Sequence, residues 1–355
     1  MGSRHLLVFL ALVFLSSCAK KSNITNTIEE AIKQHLTAET YHSWQKSGLY
    51  YGKAVEEIYG QILEDPKVAI DFCYALDQQS DEELSVWNSY MQAQQNNVYL
   101  PCHDQLSNRL KLYRQEKLAD LKIAYARWTA CKDSGTVQKP CREKTTTSHR
   151  KVEVPITQGP IFFQGDLKPG EIALTFDDGP HPAVTQRVLQ ALQNSREEAH
   201  FFVLGQNAEK LPKLILQEQS NGHIVGNHSW NHENLKNLSQ SKFIWQVEST
   251  FKTLNQLTGQ SIRFFRFPYG SYENDQKDWL KNHETANFFW NIDTLDWKIK
   301  DPVKLYEHTV KVIAKKESGI LLMHDIHPQT EMVLPFLLKT LQDWNYTTAQ
   351  FVPKH

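Results

Sequence analysis

The stretch ALTFDDGPHP, residues 173–182, runs from an apolar segment straight into two adjacent carboxylates, a glycine and two prolines that bracket a histidine. EIALTF reads as a short strand that stops where Gly179 and Pro180 break it, and PAVTQRVLQALQ beyond it has helical spacing. The same alternation continues through HFFVLG, AEKLPKLILQEQ, HIVGN, a helix from Ser239 to Leu257, IRFFRF, NFFWNI, a helix from Pro302 to Lys316, GILLMH and a last helix from Thr330 to Asp343. Strands alternating with amphipathic helices imply an α/β fold of parallel strands with crossover helices, either a doubly wound sheet or a barrel. Polar residues gathered just after the strands favour the barrel, whose strand C-termini converge at one end.

The preceding part of the chain has a different texture. From Ile24 to about Ala130 the pattern is helical, through IEEAIKQHL, AVEEIYGQIL, DPKVAIDFCYAL, SDEELSVWNSYMQAQ and LKLYRQEKLADLKIAYARW. Asp65 before Pro66 reads as an N-cap with proline at the first helical position, and Ser80 with Glu83 as a capping box. A small helical domain is therefore expected over 18–131, then a linker or excursion over 132–165, where Thr, Ser, Gly, Pro and basic residues replace the periodicity, then the α/β domain over 166–355.

Lysine and arginine number 39 against 40 aspartates and glutamates, a net charge of −1 with no basic excess to recruit nucleic acid. Residues 1–17 read as a signal peptide: Arg4 precedes an apolar run from Leu6 to Leu15 that is too short to span a bilayer. The run ends in LSSC, which resembles a bacterial lipobox and implies cleavage before Cys18, lipidation there, and an exported protein tethered to a membrane in the periplasm or at the cell surface. Ala19 beyond it implies transfer to the outer membrane. An ordinary signal peptide with an incidental cysteine is the plainer alternative. Cys73, Cys102, Cys131 and Cys141 remain, an even number suited to two disulfides in an oxidising compartment. Three pairings stay open, Cys131 with Cys141 closing the shortest loop; a zinc site there would lack any CxxC spacing.

Chemistry concentrates in the C-terminal half. In GNHSWNHENL, His228 and His232 lie four apart, able to hold one metal ion from a helical turn or tight loop. Two histidines and one strand-end carboxylate leave coordination positions for water and substrate. If one aspartate of FDDGP joins them, the other is free to act as a base on water whose pKa the metal lowers. A turn whose paired acids cap the helix near Pro182 would explain the glycine and proline, but not the distant histidines. His324 after GILLM is a candidate acid; RFPYG (266–270) and DTLDW (293–297) add an arginine, a turn, two aspartates and an aromatic, each after a strand.

Taken together and in order, TFDDGP, HSWNH, RFPYG, DTLDW and LLMH resemble the five motifs of the polysaccharide deacetylase family, the NodB-like carbohydrate esterases, over about residues 160–350. The resemblance implies a distorted (β/α) barrel and metal-dependent removal of acetyl groups from sugars, most often N-acetylglucosamine. It makes Asp177 the catalytic base, Asp178, His228 and His232 the metal ligands, Arg266 the partner of the base, and the Tyr269 backbone N–H the oxyanion donor. Asp296 would orient and charge His324, the general acid, while Trp297 and Leu322 would wall the slot for the acetyl methyl group. Phe267 stands where many relatives carry proline. The donor set suits zinc, with cobalt or nickel as substitutes. Export with a lipid anchor points to peptidoglycan as the substrate; chitin oligosaccharides, other poly-N-acetylglucosamine and acetylated xylan share the chemistry, and a non-catalytic glycan-binding lipoprotein is the alternative of another class.

Overall fold

The computed structural model describes residues 49–64, 67–94, 98, 100–129 and 149–354. The signal peptide, Cys18, the helix expected over IEEAIKQHL, the cap at Asp65 and Pro66, Cys131 and Cys141 all lie outside the described residues. No helix of the described residues is long and apolar enough to cross a membrane. The chain divides into two compact units, Met1–Tyr113 and Arg114–His355.

In the N-terminal unit, α1 (Leu49–Glu64), α2 (Lys67–Asp77), α3 (Asp81–Ala93) and the start of α4 (His103–Thr129) enclose a core that includes Val55, Ile58, Phe72, Leu76, Leu84 and Leu106. Ser80 caps α3 as expected, its hydroxyl accepting from the Glu83 N–H at 3.2 Å. Cys73 and Cys102 form a disulfide that ties α2 to the residue before α4. Arg109 adds a second tie, donating to Asp81 Oδ1 and to the Gln79 carbonyl at 2.6 Å each. The division at Tyr113 falls inside α4, not at residue 131, because Leu121 and Ala124 of the same helix belong to the core of the C-terminal unit.

That second unit is built on parallel strands: β1 (His149–Pro155), β2 (Ile161–Phe162), β3 (Glu171–Asp177), β4 (His200–Val203), β5 (Ile224–Asn227), β6 (Phe264–Phe265), β7 (Ala286–Phe288), β8 (Ile292–Asp293), β9 (Gly319–His324) and β10 (Thr347–Lys354). Hydrogen-bonded neighbours run β1-β10-β3-β4-β5-β6-β7-β2, with β9 on the other side of β3 and β8 beyond it. The path from β8 through β9, β3, β4, β5 and β6 to β7 spans seven strands, which laid flat would separate its ends by roughly 29 Å at about 4.8 Å per step. Only residues 289–291 join β7 to β8, and four Cα steps reach at most about 15 Å. The sheet must therefore curl until its ends nearly meet, giving the barrel that the motifs implied, without a hydrogen-bonded pairing between β7 and β8 among the described residues.

Alternation along the strands decides what lies inside. Ile172, Leu174 and Phe176 of β3 join the cluster shared with α5 (Val184–Ser195) and α11 (Pro328–Asp343), whereas Ala173 joins Phe202, Phe264, Phe288 and Ile320 in a second, inner cluster. Thr175 and Asp177 follow Ala173 at period two, so Asp177 ends β3 on its inner face. The helix at Pro302–Lys316 (α10) and the strand GILLMH have the bounds the sequence implied, with Asp301 capping α10 through the Lys304 N–H at 2.9 Å. Other segments differ. AEKLPKLILQEQ is broken into α6 (Gly205–Lys210) and α7 (Pro212–Ser220), because Pro212 has no N–H to continue the first helix. The expected linker contains β1, which pairs with β10 over seven residues from His149↔Thr348 to Pro155↔Lys354.

Candidate active site and metal centre

Register aligns the first two groups. Asp177 at the end of β3 pairs directly with His324 at the end of β9, and β4 and β5 carry the ladder across to Asn227, one residue before His228. After Asp177 the chain leaves the strand, Asp178 taking a left-handed conformation (φ 74°). That turn is held from two sides: Asn207 Nδ2 donates to the Asp178 carbonyl at 2.9 Å, and the Leu204 N–H donates to the Gly179 carbonyl at 3.0 Å. Gly179 is required because a Cβ there would stand 2.2 Å from Asp325 Oδ2.

His228 and His232 come from the loop after β5, with His232 also left-handed (φ 64°). Asp178 Oδ1 lies 3.5 Å from His228 Nε2 and 3.2 Å from His232 Nε2, and the three donors fall within 4.8 Å of one another. A tetrahedral zinc ion with ligand bonds of about 2.0–2.1 Å places neighbouring donor atoms about 3.4 Å apart, close to the spacing from Asp178 to each imidazole. Asp178 Oδ1 is buried without a hydrogen-bond partner, a costly state for a carboxylate oxygen unless a cation faces it. His228 Nδ1 lies 2.8 Å from the Arg266 carbonyl, which fixes the tautomer with a lone pair on Nε2. Burial pushes His228 down to about 3 and also lowers His232, so both imidazoles are neutral donors. Burial works to raise Asp178, but the positive charge that His232 and then His324 can carry outweighs it and holds the carboxyl below its usual range. The residues fit a divalent cation.

Arg266, wholly buried, is the hub of the other half. Its NH1 donates to Asp177 Oδ1 at 2.7 Å and is 2.8 Å from Thr175 Oγ1; Nε and NH2 donate to the Phe288 and Phe289 carbonyls at 3.2 and 3.1 Å. The guanidinium also covers the Phe202 ring at 4.2 Å. Burial raises Asp177 to about 6, against the lowering effect of Arg266 and then His324. The other oxygen, Oδ2, stands 3.6 Å from His228 Nε2, so Asp177 is beside the metal donors without joining them.

Across the site, His324 Nδ1 lies 2.7 Å from Asp296 Oδ1. Asp296 Oδ2 accepts from the His324 N–H and from Thr330 Oγ1, both at 2.7 Å, and Gln329 Nε2 donates to the Asp296 carbonyl at 2.7 Å. Burial raises Asp296 less than His324 and its hydrogen bonds lower it, leaving it at about 2. For His324 burial is again the largest influence and lowers it, yet Asp296, with Asp178 and Asp177, raises it to about 10. With Nδ1 committed to Asp296, Nε2 is the nitrogen able to deliver a proton.

All seven titratable or cationic residues singled out in the sequence are thus brought together. Tyr269, also left-handed (φ 60°), sets its ring 4.5 Å from that of His232. Leu322 is buried on β9 at period two from His324, and Trp297, next to Asp296, is 50 % exposed. Sequence reading missed Thr175, Thr330, Gln329 and Asn207, which position Arg266, Asp296 and Asp178. Only Thr175 left a signal, at period two before Asp177.

A family model described as polysaccharide deacetylase matches residues 164–288, the span holding TFDDGP, HSWNH and RFPYG. A Bacillus cereus protein named peptidoglycan-N-acetylglucosamine deacetylase is 38% identical over 136 residues, covering 38% of this chain and 50% of that one. A second Bacillus cereus protein of the same name is 34% identical over 206 residues, 55% of this chain and 74% of that one. The chain spans half or less of the length of several of the curated relatives it matches, one of them a Bacillus subtilis protein named peptidoglycan-N-acetylmuramic acid deacetylase PdaC. Among solved structures, Bdellovibrio bacteriovorus peptidoglycan deacetylase Bd3279 has the same fold, with a TM-score of 0.71 at 22% identity, covering 94% of this chain and 96% of that one.

Proposed function

The chain belongs to the polysaccharide deacetylase family, and from that premise we propose that it removes N-acetyl groups from N-acetylglucosamine residues of a cell-envelope glycan, peptidoglycan being the substrate. The observation that carries this reading is one site where an Asp–His–His donor set lies beside an arginine-paired aspartate and an aspartate-paired histidine. Zinc suits the donor set best, with cobalt or nickel able to replace it; bound by Asp178, His228 and His232, it supplies a Lewis acid that polarises the acetyl carbonyl and lowers the pKa of water.

The protein's own groups account for the protons. Asp177, steadied by Arg266, takes a proton from the attacking water as its oxygen bonds to the carbonyl carbon. The Tyr269 N–H donates to the resulting oxyanion. His324 passes its Nε2 proton to the departing nitrogen, the C–N bond breaks, and acetate and a free amine leave. Trp297 and Leu322 wall the methyl group. Export and a lipid anchor at Cys18 would set this site beside the wall, which favours peptidoglycan over chitin oligosaccharides, other poly-N-acetylglucosamine and xylan.

The test is to incubate metal-loaded protein with each polymer and assay both acetate and free amine. Release from peptidoglycan that Asp177→Asn abolishes while metal stays bound is expected. Release from xylan alone would reject the proposed substrate.

A further inference from the structure

Four aromatic side chains are exposed among the described residues: Phe163, Trp245, Tyr269 and Trp297, at 55, 52, 40 and 50 %. Scattered apolar residues on a surface are ordinary. These four are not scattered: three follow strand ends of the C-terminal unit, and Trp245 packs against Trp230 in the loop after β5. Tyr269 follows β6 and Trp297 follows β8, both beside the site already described. Phe163 follows β2, whose Phe162 pairs with Phe288 at the end of β7. Trp245 is in the second turn of α8 (Gln240–Thr258), the helix entered from the metal-histidine loop.

Each of the two outlying rings is backed by a second ring tied to the reaction centre. Phe163 stacks flat on Phe289, with centroids 4.6 Å apart and planes 9° from parallel. Phe289 is buried, and its carbonyl receives Arg266 NH2 at 3.1 Å. Trp245 packs 5.7 Å from Trp230, which lies in sequence between His228 and His232. Trp230 is fixed in turn, its N–H donating to Gln246 Oε1 at 2.8 Å. Rings held from behind lose little freedom when something stacks on the open face, and a flat apolar face matches the C–H face of a pyranose.

Resting on the deacetylase reading above, we propose that Phe163 and Trp245 are sugar-stacking platforms for glycan units beyond the one that loses its acetyl group, so that the ligand is an extended chain. Phe163 is linked to Arg266 through Phe289, and Trp245 to the metal-histidine loop through Trp230, so each stands one ring away from those groups and a sugar on it is a different unit from the reacting one.

The experiment compares a β-1,4-linked N-acetylglucosamine hexamer with the dimer in metal-loaded wild type, Phe163→Ala and Trp245→Ala, with Phe163→Trp as the conservative control. In each alanine variant kcat/KM for the hexamer relative to the dimer falls about tenfold, through KM, the factor equivalent to about 1.4 kcal/mol; Phe163→Trp restores the ratio. A ratio within about twofold of wild type in both alanine variants overturns the platforms while leaving deacetylation intact. If wild type releases acetate from neither oligomer, acetate release from peptidoglycan decides the deacetylase reading, and co-sedimentation with insoluble peptidoglycan decides the platforms separately. Loss of pelleting in the alanine variants then sustains them, and pelleting equal to wild type, or none by wild type, overturns them.

Discussion

Replacing Asp296 with asparagine removes one charge and keeps the shape. The carboxylate is fully buried, and it accepts from the His324 ring, the His324 backbone and Thr330, all at 2.7 Å. Asp296 is the chief influence raising His324 to about 10, because burial, the larger influence, acts in the opposite direction. Without the carboxylate, burial faces only the smaller upward influences of Asp178 and Asp177, and the imidazole falls to near its ordinary value of about 6.5. A fall from about 10 to near 6.5 is on the order of 5 kcal/mol of lost preference for the imidazolium. At pH 7.5 wild-type His324 is almost wholly protonated, whereas in Asp296→Asn no more than about a tenth is. The asparagine amide also directs N–H at the His324 N–H or the Thr330 hydroxyl, so one of those bonds is lost. Together these changes cut kcat/KM by about 10²- to 10⁴-fold at pH 7.5, the usual range for a general acid. The informative assay is acetate release from metal-loaded enzyme between pH 5 and about 10.5, with melting followed in parallel. A raised group keeps its proton below its folded-state value, so the wild-type alkaline limb lies high and the variant's moves down by more than two pH units. A cation at Asp178 pulls His324 below 10 in both proteins, so the displacement between them is the quantity read. An alkaline limb that stays in place, or activity within tenfold of wild type, would refute the assignment of His324 as an acid charged by Asp296.

Other outcomes follow from the same geometry. His228→Ala should lose the metal, since Asp178 and His232 then offer only two of the three donors; a full equivalent retained by elemental analysis would break the ligand assignment. Arg266→Met leaves Asp177 buried without its cationic partner, so urea unfolding should register a loss of about 3–5 kcal/mol. A loss under about 1 kcal/mol would mean that the hydrogen bonds to Thr175 and the two carbonyls have little part in fixing the site.

The site was legible because each chemical group follows directly on an apolar strand, and a parallel sheet brings all strand ends to one place. GILLMH shows this most plainly: its observed strand ends on His324, and its register sets that histidine opposite Asp177. What escaped reading depends on partners distant in sequence. HRKVEVP alternates apolar and charged residues as an exposed-edge strand does, but its basic residues and its neighbours resemble a linker, and only β10, roughly two hundred residues later, makes it a strand. NFFWNI reads as one strand. It is the end of β7 and the start of β8, because residues 289–291 cross the gap where the curled sheet fails to close.

The long helix α4 shows a different limit. An amphipathic stripe states that a face is buried and says nothing of what buries it. Leu106 belongs to one core and Leu121 to another, so a single helix serves both and its helical spacing does not mark the point where the units divide. The positioning residues are hidden for the same reason. Thr330 and Gln329 stand in the first turn of α11, where a polar pair is ordinary, and their meaning appears only when β9 and the loop after β8 bring Asp296 against them. The paired acids of TFDDGP are the reverse case. Their repulsion is written in the sequence itself, and its relief, Arg266 for Asp177 and a cation for Asp178, is what obliges the rest of the fold to assemble around them.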